Sequence, residues 1–488
     1  MLVTFISTVP SSALVEAALE IKQQFRLSLE LKVYYPRQID EEKIDDRIVA
    51  DDLRASDAVF LDIRGSGRSI DLVYQTLKDE RNIVVNLMAP VGKMMEITRL
   101  GSFSGRSLAG KIGRGDSRDP EEVWKKISRA ESLVQTAGRL IPLGPVKDAG
   151  NYVRLARYWR YGGKENYRNL LILLLREYLK CELPQAKEPA AFPEYGIHHP
   201  DLGFFHDRNE FLSASGYDPA RPTVGILFYG NMHFEQCQPV LRSLQRTLDG
   251  INLLPVFCDG IHNLRAMREF FFIEGRTMLD ALVNLTWFRI NGGPMGGDPE
   301  LTRRLLSDLN VPVFTPACMY GRDIEEWRRS DTGLSPLESI MAVIWPELDG
   351  CIEPIPCCAV QSVDEGEWQA CQVAALEERV SKIASRIKSW ICLKRKSNRD
   401  KRLAIIIYNY PPGEENLAGA SYLDVFASVT RLLQRLKDEG YNVDLPEKPL
   451  HEIFQDLGLF NSAFWQQPEK LLRTGFSLEC RDYLRFFS

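Results

Sequence analysis

The sequence predicts an α/β protein: several flavodoxin-like or Rossmann-like parallel-sheet units, a helical connector between the first two, and a truncated last unit. Three observations predict it. Short apolar runs of strand length alternate with stretches of helical periodicity, the pattern of βαβ units with right-handed crossovers. Several of these runs exit into loops rich in Gly, Asn and Pro, at the strand ends where parallel sheets commonly bind ligands. The 488 residues require about three cores, because a single core rarely grows past ~250 residues.

The first domain is expected over residues 1–148. Leu2–Ser7 reads as a strand, and Ser11 or Ser12 opens a helix whose Leu14, Ala17, Ala18 and Ile21 follow helical spacing. Leu31–Tyr35, Asp57–Ile63 and Asn82–Leu87 read as three further strands. Arg64-Gly-Ser-Gly-Arg68 follows the third strand and lacks both the dinucleotide fingerprint and a Walker pattern. A plain turn or an anion cradle are the alternatives there. Residues 149–218 read as two helices, Asn151–Tyr161 and Asn166–Leu179, then a solvent-facing connector punctuated by Pro184, Pro189, Pro193 and Pro200. His198, His199 and His206 sit in that connector, but adjacent histidines on a loop seldom point at one ion.

The second domain is expected over residues 219–395. Its strands are Pro222–Tyr229, Asn252–Cys258, Val283–Ile290 and Val311–Pro316, with a helix from Cys237 to Leu248. Gly230-Asn-Met-His-Phe234 leaves the first strand, and Asn291-Gly-Gly-Pro-Met-Gly-Gly-Asp298 leaves the third. The glycine loop either turns backbone N–H groups toward a ligand's anionic arms or simply connects strand to helix. The basic run Lys394–Arg402 reads as a solvated linker into a third unit, residues 396–488. That unit starts with Leu403–Tyr408, an apolar run suited to a buried parallel strand. A helix from Leu423 to Glu439 and a strand Tyr441–Leu445 follow, with Gly440 between them. About forty residues remain, too few to complete a doubly wound sheet.

Composition narrows the class. Hydrophobic residues at 44% and charged residues at 26% are ordinary for a globular protein, and a net charge of −5 gives no basic footprint for nucleic acid. The longest apolar run, Leu170–Leu175, is far short of the ~20 residues a membrane span needs. Met1–Ser7 has no basic segment before it and reads as a strand, not a leader. Ten cysteines without a CxxC pair suit buried thiols in a reducing cytoplasm, against a metal or redox site at Cys351, Cys357 and Cys358.

Several segments, taken in order, resemble one family. They are Lys401–Pro412, Ala420–Asp424 and Glu439–Val443, preceded by Val224–Tyr229, Leu254–Cys258, Val311–Phe314, Glu326-Trp327, Gly333–Pro336 and Pro346–Gly350. In this combination the chain resembles the large-subunit family of cobaltochelatase and magnesium chelatase, closely over 220–445 and loosely over 1–150. Its Tyr408–Pro412 turn is nearer the cobalt-inserting branch. The resemblance implies a tetrapyrrole substrate, Co or Mg as the inserted metal, and ATP hydrolysed by separate AAA+ partner subunits, with no tightly bound cofactor. It also implies a cleft at the strand ends, with Tyr229, Asn231, His233, Asn291, Gly292, Gly293, Asn409 and Tyr410 as candidate substrate contacts. Tyr229 and His233 are equally readable as core or turn residues.

The departure from the family is equally specific. Large subunits are much longer, and their metal-insertion segment contains a His-Gly step that occurs nowhere in this sequence. No catalytic or metal-ligating residue is therefore assigned. A separate chain carrying the C-terminal part of the large subunit becomes an expected partner. The alternatives are a stand-alone tetrapyrrole binder or regulator and, more remotely, a nucleotide-sugar enzyme, which would need an acidic metal-binding pair.

Overall fold

A computed structural model describes residues 1–64, 67–88, 92–107, 119–141, 143–291, 297–365, 368–408, 418–419, 422–457 and 479–485. It divides into two compact units, Met1–Ile391 and Cys392–Ser488. The larger unit carries two six-stranded sheets of mixed direction and a third, three-stranded one.

The first sheet contains β1 (Leu2–Ser7), β2 (Glu30–Tyr34), β3 (Ala58–Asp62), β4 (Ile83–Asn86), β5 (Arg99–Leu100) and β6 (Phe103–Ser104), in the order β2-β1-β3-β4-β5-β6. The pairs among β1 to β4 are parallel, and β5 and β6 add antiparallel edges. Every residue of β3 is buried, as expected of a central strand covered on both faces. Helix Ser12–Phe25 packs Leu14, Ala17, Ala18 and Ile21 into this core, the face its periodicity predicts. Helices Gly144–Tyr161 and Lys164–Glu177 join the same core: Leu155, Trp159, Tyr167 and Leu170–Leu175 cluster with Val3, Phe5 and Phe60. Phe5 stacks on Phe60 at 4.7 Å and on Trp159 at 5.7 Å between ring centroids. The run Leu170–Leu175 is thus a helix buried on all sides. Among the described residues no helix is long and apolar enough to cross a membrane.

The second sheet contains β7 (Tyr195–His199), β8 (Gly203–Phe205), β9 (Thr223–Tyr229) and β10 (Asn252–Cys258). After the small hairpin β11 (Phe272–Ile273) and β12 (Arg276–Thr277) come β13 (Ala281–Leu285) and β14 (Val313–Phe314). Its order is β14-β13-β9-β10-β7-β8, with β10, β9, β13 and β14 parallel. Its first parallel strand therefore lies between its second and third, as β1 lies between β2 and β3 in the other sheet. In each sheet the strand order reverses direction beside that first strand, where α/β proteins open a crevice at the carboxyl ends.

Three expectations are corrected. The segment around His198 is not a solvent-facing connector, because β7 pairs antiparallel with β10. His198 is buried between Phe204 and Phe234, with ring centroids at 4.5 and 4.7 Å. The third sheet was not foreseen: β15 (Ala317–Asp323), β16 (Pro356–Glu365) and β17 (Trp368–Ala375) form it. It brings Cys318, Cys357 and Cys358 into one apolar core with Cys237, where burial raises each thiol's pKa. In the smaller unit, Leu403–Tyr408 is not a buried strand. It pairs with no strand among the described residues, and Ile406 is 92% exposed. Tyr441–Leu445 likewise joins no sheet among the described residues, while helix Val425–Asp438 forms as expected, with the Asp424 carboxylate accepting from Ala427 N–H at 2.9 Å.

The Trp159 indole donates to the buried Asp62 carboxylate at 3.0 Å. Trp159→Phe keeps the ring stack and removes that bond to a charged acceptor. It should lower unfolding free energy by about 1.5–3 kcal/mol in urea titration; an unchanged midpoint would contradict this role.

Candidate functional site

Strand β3 is apolar until Asp62, whose side chain is fully shielded from solvent. Such a carboxylate requires a cation and hydrogen bonds to be tolerated. Arg64, two residues on, supplies both: its Nε and Nη2 donate to the two Asp62 oxygens at 3.0 and 3.1 Å. Trp159 supplies the third bond. The guanidinium then reaches across to the second sheet, where Nη1 lies 3.0 Å from His233 Nε2 and Nη2 3.3 Å from Met232 Sδ.

These residues lie just beyond β9. Tyr229 ends the strand, Gly230 begins the turn, and Asn231 takes the left-handed conformation (φ 56°) that lets the chain double back. His233 leads into helix Phe234–Thr247. The exit of β9 is tied to the exit of β1: Gln236 Nε2 donates to the Pro10 carbonyl at 2.8 Å, and Ser11 Oγ to Glu235 Oε2 at 3.4 Å. Gly162 is required beneath this turn, since a Cβ there would lie 2.6 Å from Met232 Cα. The carboxyl edges of the two sheets thus face one another across Asp62, Arg64 and His233.

The electrostatics follow from burial. A guanidinium can only donate, so His233 Nε2 accepts and the ring is neutral with its proton on Nδ1. Burial, and then the neighbouring Arg64 charge, hold the His233 pKa well below the usual imidazole value. Burial likewise raises the Tyr229 phenol, whose ring lies 5.4 Å from that of His233. Burial and the nearby Glu16 raise the Glu235 carboxyl. The edge therefore offers aromatic rings, an Asn amide and a neutral imidazole around one neutralised ion pair.

Of the residues singled out from the sequence, Tyr229, Asn231 and His233 share one turn. Asn291 lies beyond β13, the neighbour of β9, and is held in place, its Nδ2 donating to the Asp298 carbonyl at 3.2 Å. The preceding Ile290 is fixed from both sides: its N–H donates to Asp349 at 3.1 Å, and its carbonyl accepts from Asn263 at 2.7 Å. Gly292, Gly293, Asn409 and Tyr410 lie outside the described residues. Sequence reasoning missed Asp62 and Trp159, and noticed Arg64 only as part of a turn. The available signal was an acid closing an otherwise apolar strand, with an arginine two residues on.

The model of the CobN/magnesium chelatase family matches residues 156–488. The chain belongs to the CobN/magnesium chelatase family, whose members include large chelatase subunits. A magnesium-chelatase subunit of Chlorobaculum parvum is 30% identical over 427 residues, which are 81% of this chain and 32% of that protein. Aerobic cobaltochelatase subunit CobN of Pseudomonas aeruginosa is 28% identical over 355 residues, 69% of this chain and 27% of its own length. Both branches are therefore represented at near-equal identity. Among solved structures, the catalytic subunit of cobaltochelatase from Mycobacterium tuberculosis aligns with 93% of this chain and 33% of its own, at 22% identity and a TM-score of 0.48. The chain spans about a third or less of the length of these relatives.

The pH dependence of stability tests the His233 assignment. Its folded pKa is depressed, so the unfolded chain binds the extra proton; stability is complete above about pH 6.5 and is lost as pH falls below it. His198, lowered to about 4 by burial, adds to the same slope. Between pH 7 and 5, His233→Gln should flatten the decline of the urea midpoint, removing up to about 1.4 kcal/mol per pH unit. An identical slope in variant and parent would contradict a neutral buried imidazole.

Proposed function

We propose that this chain is the N-terminal part of a chelatase large subunit and binds a tetrapyrrole for ATP-dependent insertion of cobalt or magnesium. The observation that carries the reading is the family match over residues 156–488, which includes the polar turn Tyr229–His233 at a strand reversal. In this reading the macrocycle is held at the carboxyl edges of the two larger sheets. Tyr229 offers an aromatic face, and Asn231 and Asn291 offer amides to the carboxylate arms. His233 is a neutral polar contact, and the glycine loop through Gly292 and Gly293 presents backbone N–H groups. Asn409 and Tyr410 are further candidate contacts.

Metal insertion needs ligands for the incoming ion and a base for the pyrrole protons. Neither role is assigned to a residue of this chain, which by itself is inactive as a chelatase. ATP is consumed by AAA+ partner subunits, and the remaining large-subunit segments supply the insertion chemistry. The setting is the cytoplasm.

Purified protein titrated with protoporphyrin and, separately, with hydrogenobyrinate diamide should shift the absorbance of at least one. Asn231→Gly preserves the left-handed backbone at φ 56° while deleting the amide. It should weaken the binding about tenfold, equivalent to ~1.4 kcal/mol. The absence of a spectral change with either ligand would overturn the reading.

A further inference from the structure

The smaller unit presents an apolar surface out of proportion to its own core. Among the described residues of 392–488, none is buried. Leu403, Ile405, Ile406 and Tyr408 are 56, 41, 92 and 68% exposed, and Leu423 and Leu432 are 57 and 44% exposed. Scattered surface hydrophobes are ordinary, whereas a continuous exposed run marks an interaction surface. The composition of Leu403–Tyr408 is that of a parallel strand covered on both faces, yet among the described residues no strand pairs with it. Helix Val425–Asp438 follows it, carrying Val425, Val429, Leu432, Leu433 and Leu436 at helical spacing. A strand-type segment followed by a helix is the order in which a doubly wound layer begins.

We infer that this surface is a docking edge, which a strand of the polypeptide bearing the remaining part of a chelatase large subunit completes by parallel strand addition. The inference rests on the family reading above and names the partner it requires. Three observations select that occupant. The family match runs through this unit. The aligned segment is only 32% of the Chlorobaculum parvum protein, leaving about two-thirds of such a protein to provide the missing strands. The flank Lys394–Arg402 carries six basic residues and one acid, so the occupant presents acidic groups beside its incoming strand. Main-chain hydrogen bonds give such an edge its affinity, and the side chains on alternate faces its selectivity.

A photo-reactive phenylalanine analogue placed at Ile406 of the full chain, in its native cells, tests this. The cross-linked product is identified by peptide mass spectrometry. The expected product contains sequence aligning with the part of the chelatase large subunits beyond the shared third, on the same or another polypeptide. Its yield should fall at least tenfold in the Leu432→Asp background, and the same probe at exposed Ile48 should not give it. Leu432 is already 44% exposed, so the substitution leaves the isolated fold intact; matching circular dichroism spectra check this. Cross-linking to a second copy of this chain, to an unrelated protein or to nothing would overturn the docking edge. Porphyrin binding is read separately: binding without the cross-link defeats the docking edge alone, and the cross-link without binding defeats the functional reading alone.

Discussion

A carboxylate shut away from water governs the geometry of the larger unit. Asp62 ends a strand with no exposed residue, and an unpaired charge there would cost several kcal/mol. Satisfying it takes Arg64 from the next turn and Trp159 from a helix far along the chain. That requirement fixes the helix pair against the first sheet. It also holds the guanidinium plane so that its outer edge meets His233. The two sheets therefore face each other with their carboxyl ends together, the ends at which parallel sheets have ligand-binding crevices. The ion pair is a structural cross-piece, because Asp62 already balances the Arg64 charge, and the groups around it remain polar and neutral.

Much of this architecture was legible because the parallel strands are so apolar. Leu2–Ser7 and Asn252–Cys258 match their expected bounds to the residue, and the core face of helix Ser12–Phe25 follows from its spacing alone. Other strands differ from expectation where side chains compete with the ladder. The strand expected over Val283–Ile290 ends at Leu285 because the Asn284 carboxamide accepts from both the N–H and the hydroxyl of Thr286. Trp287 then takes φ 53° and turns the chain away. The sheet of β15, β16 and β17 was not foreseen because Ala317 of β15 meets Pro356 of β16 across a long stretch of sequence, whereas Cys318, Cys357 and Cys358 lie in an apolar core, as expected of buried thiols.

The candidate site was legible in part, for a physical reason. Tyr229, Asn231 and His233 are near neighbours in sequence, so their meeting on one turn needs only the local strand-to-helix geometry. Arg64 meets His233 across 169 residues, and Trp159 meets Asp62 across 97. No periodicity or spacing rule encodes contacts of that range. The expected burial of Leu403–Tyr408 fails for the converse reason: an apolar run states what a strand needs, and among the described residues no strand pairs with it.

The contact between the two sheet edges joins the family-matched segment to residues that precede it. Residues 156–488 carry the family match and include His233 and Trp159, while Asp62 and Arg64 come from the segment before it. The central claim is that the two sheet edges are energetically joined through Arg64 and His233. A double-mutant cycle with Arg64→Met, His233→Leu and the pair, read by urea unfolding at pH 7, measures this joining directly. The account predicts a coupling of about 1–3 kcal/mol, as expected for residues in one hydrogen-bonded network. Additivity within about 0.5 kcal/mol would show that the two edges merely lie side by side.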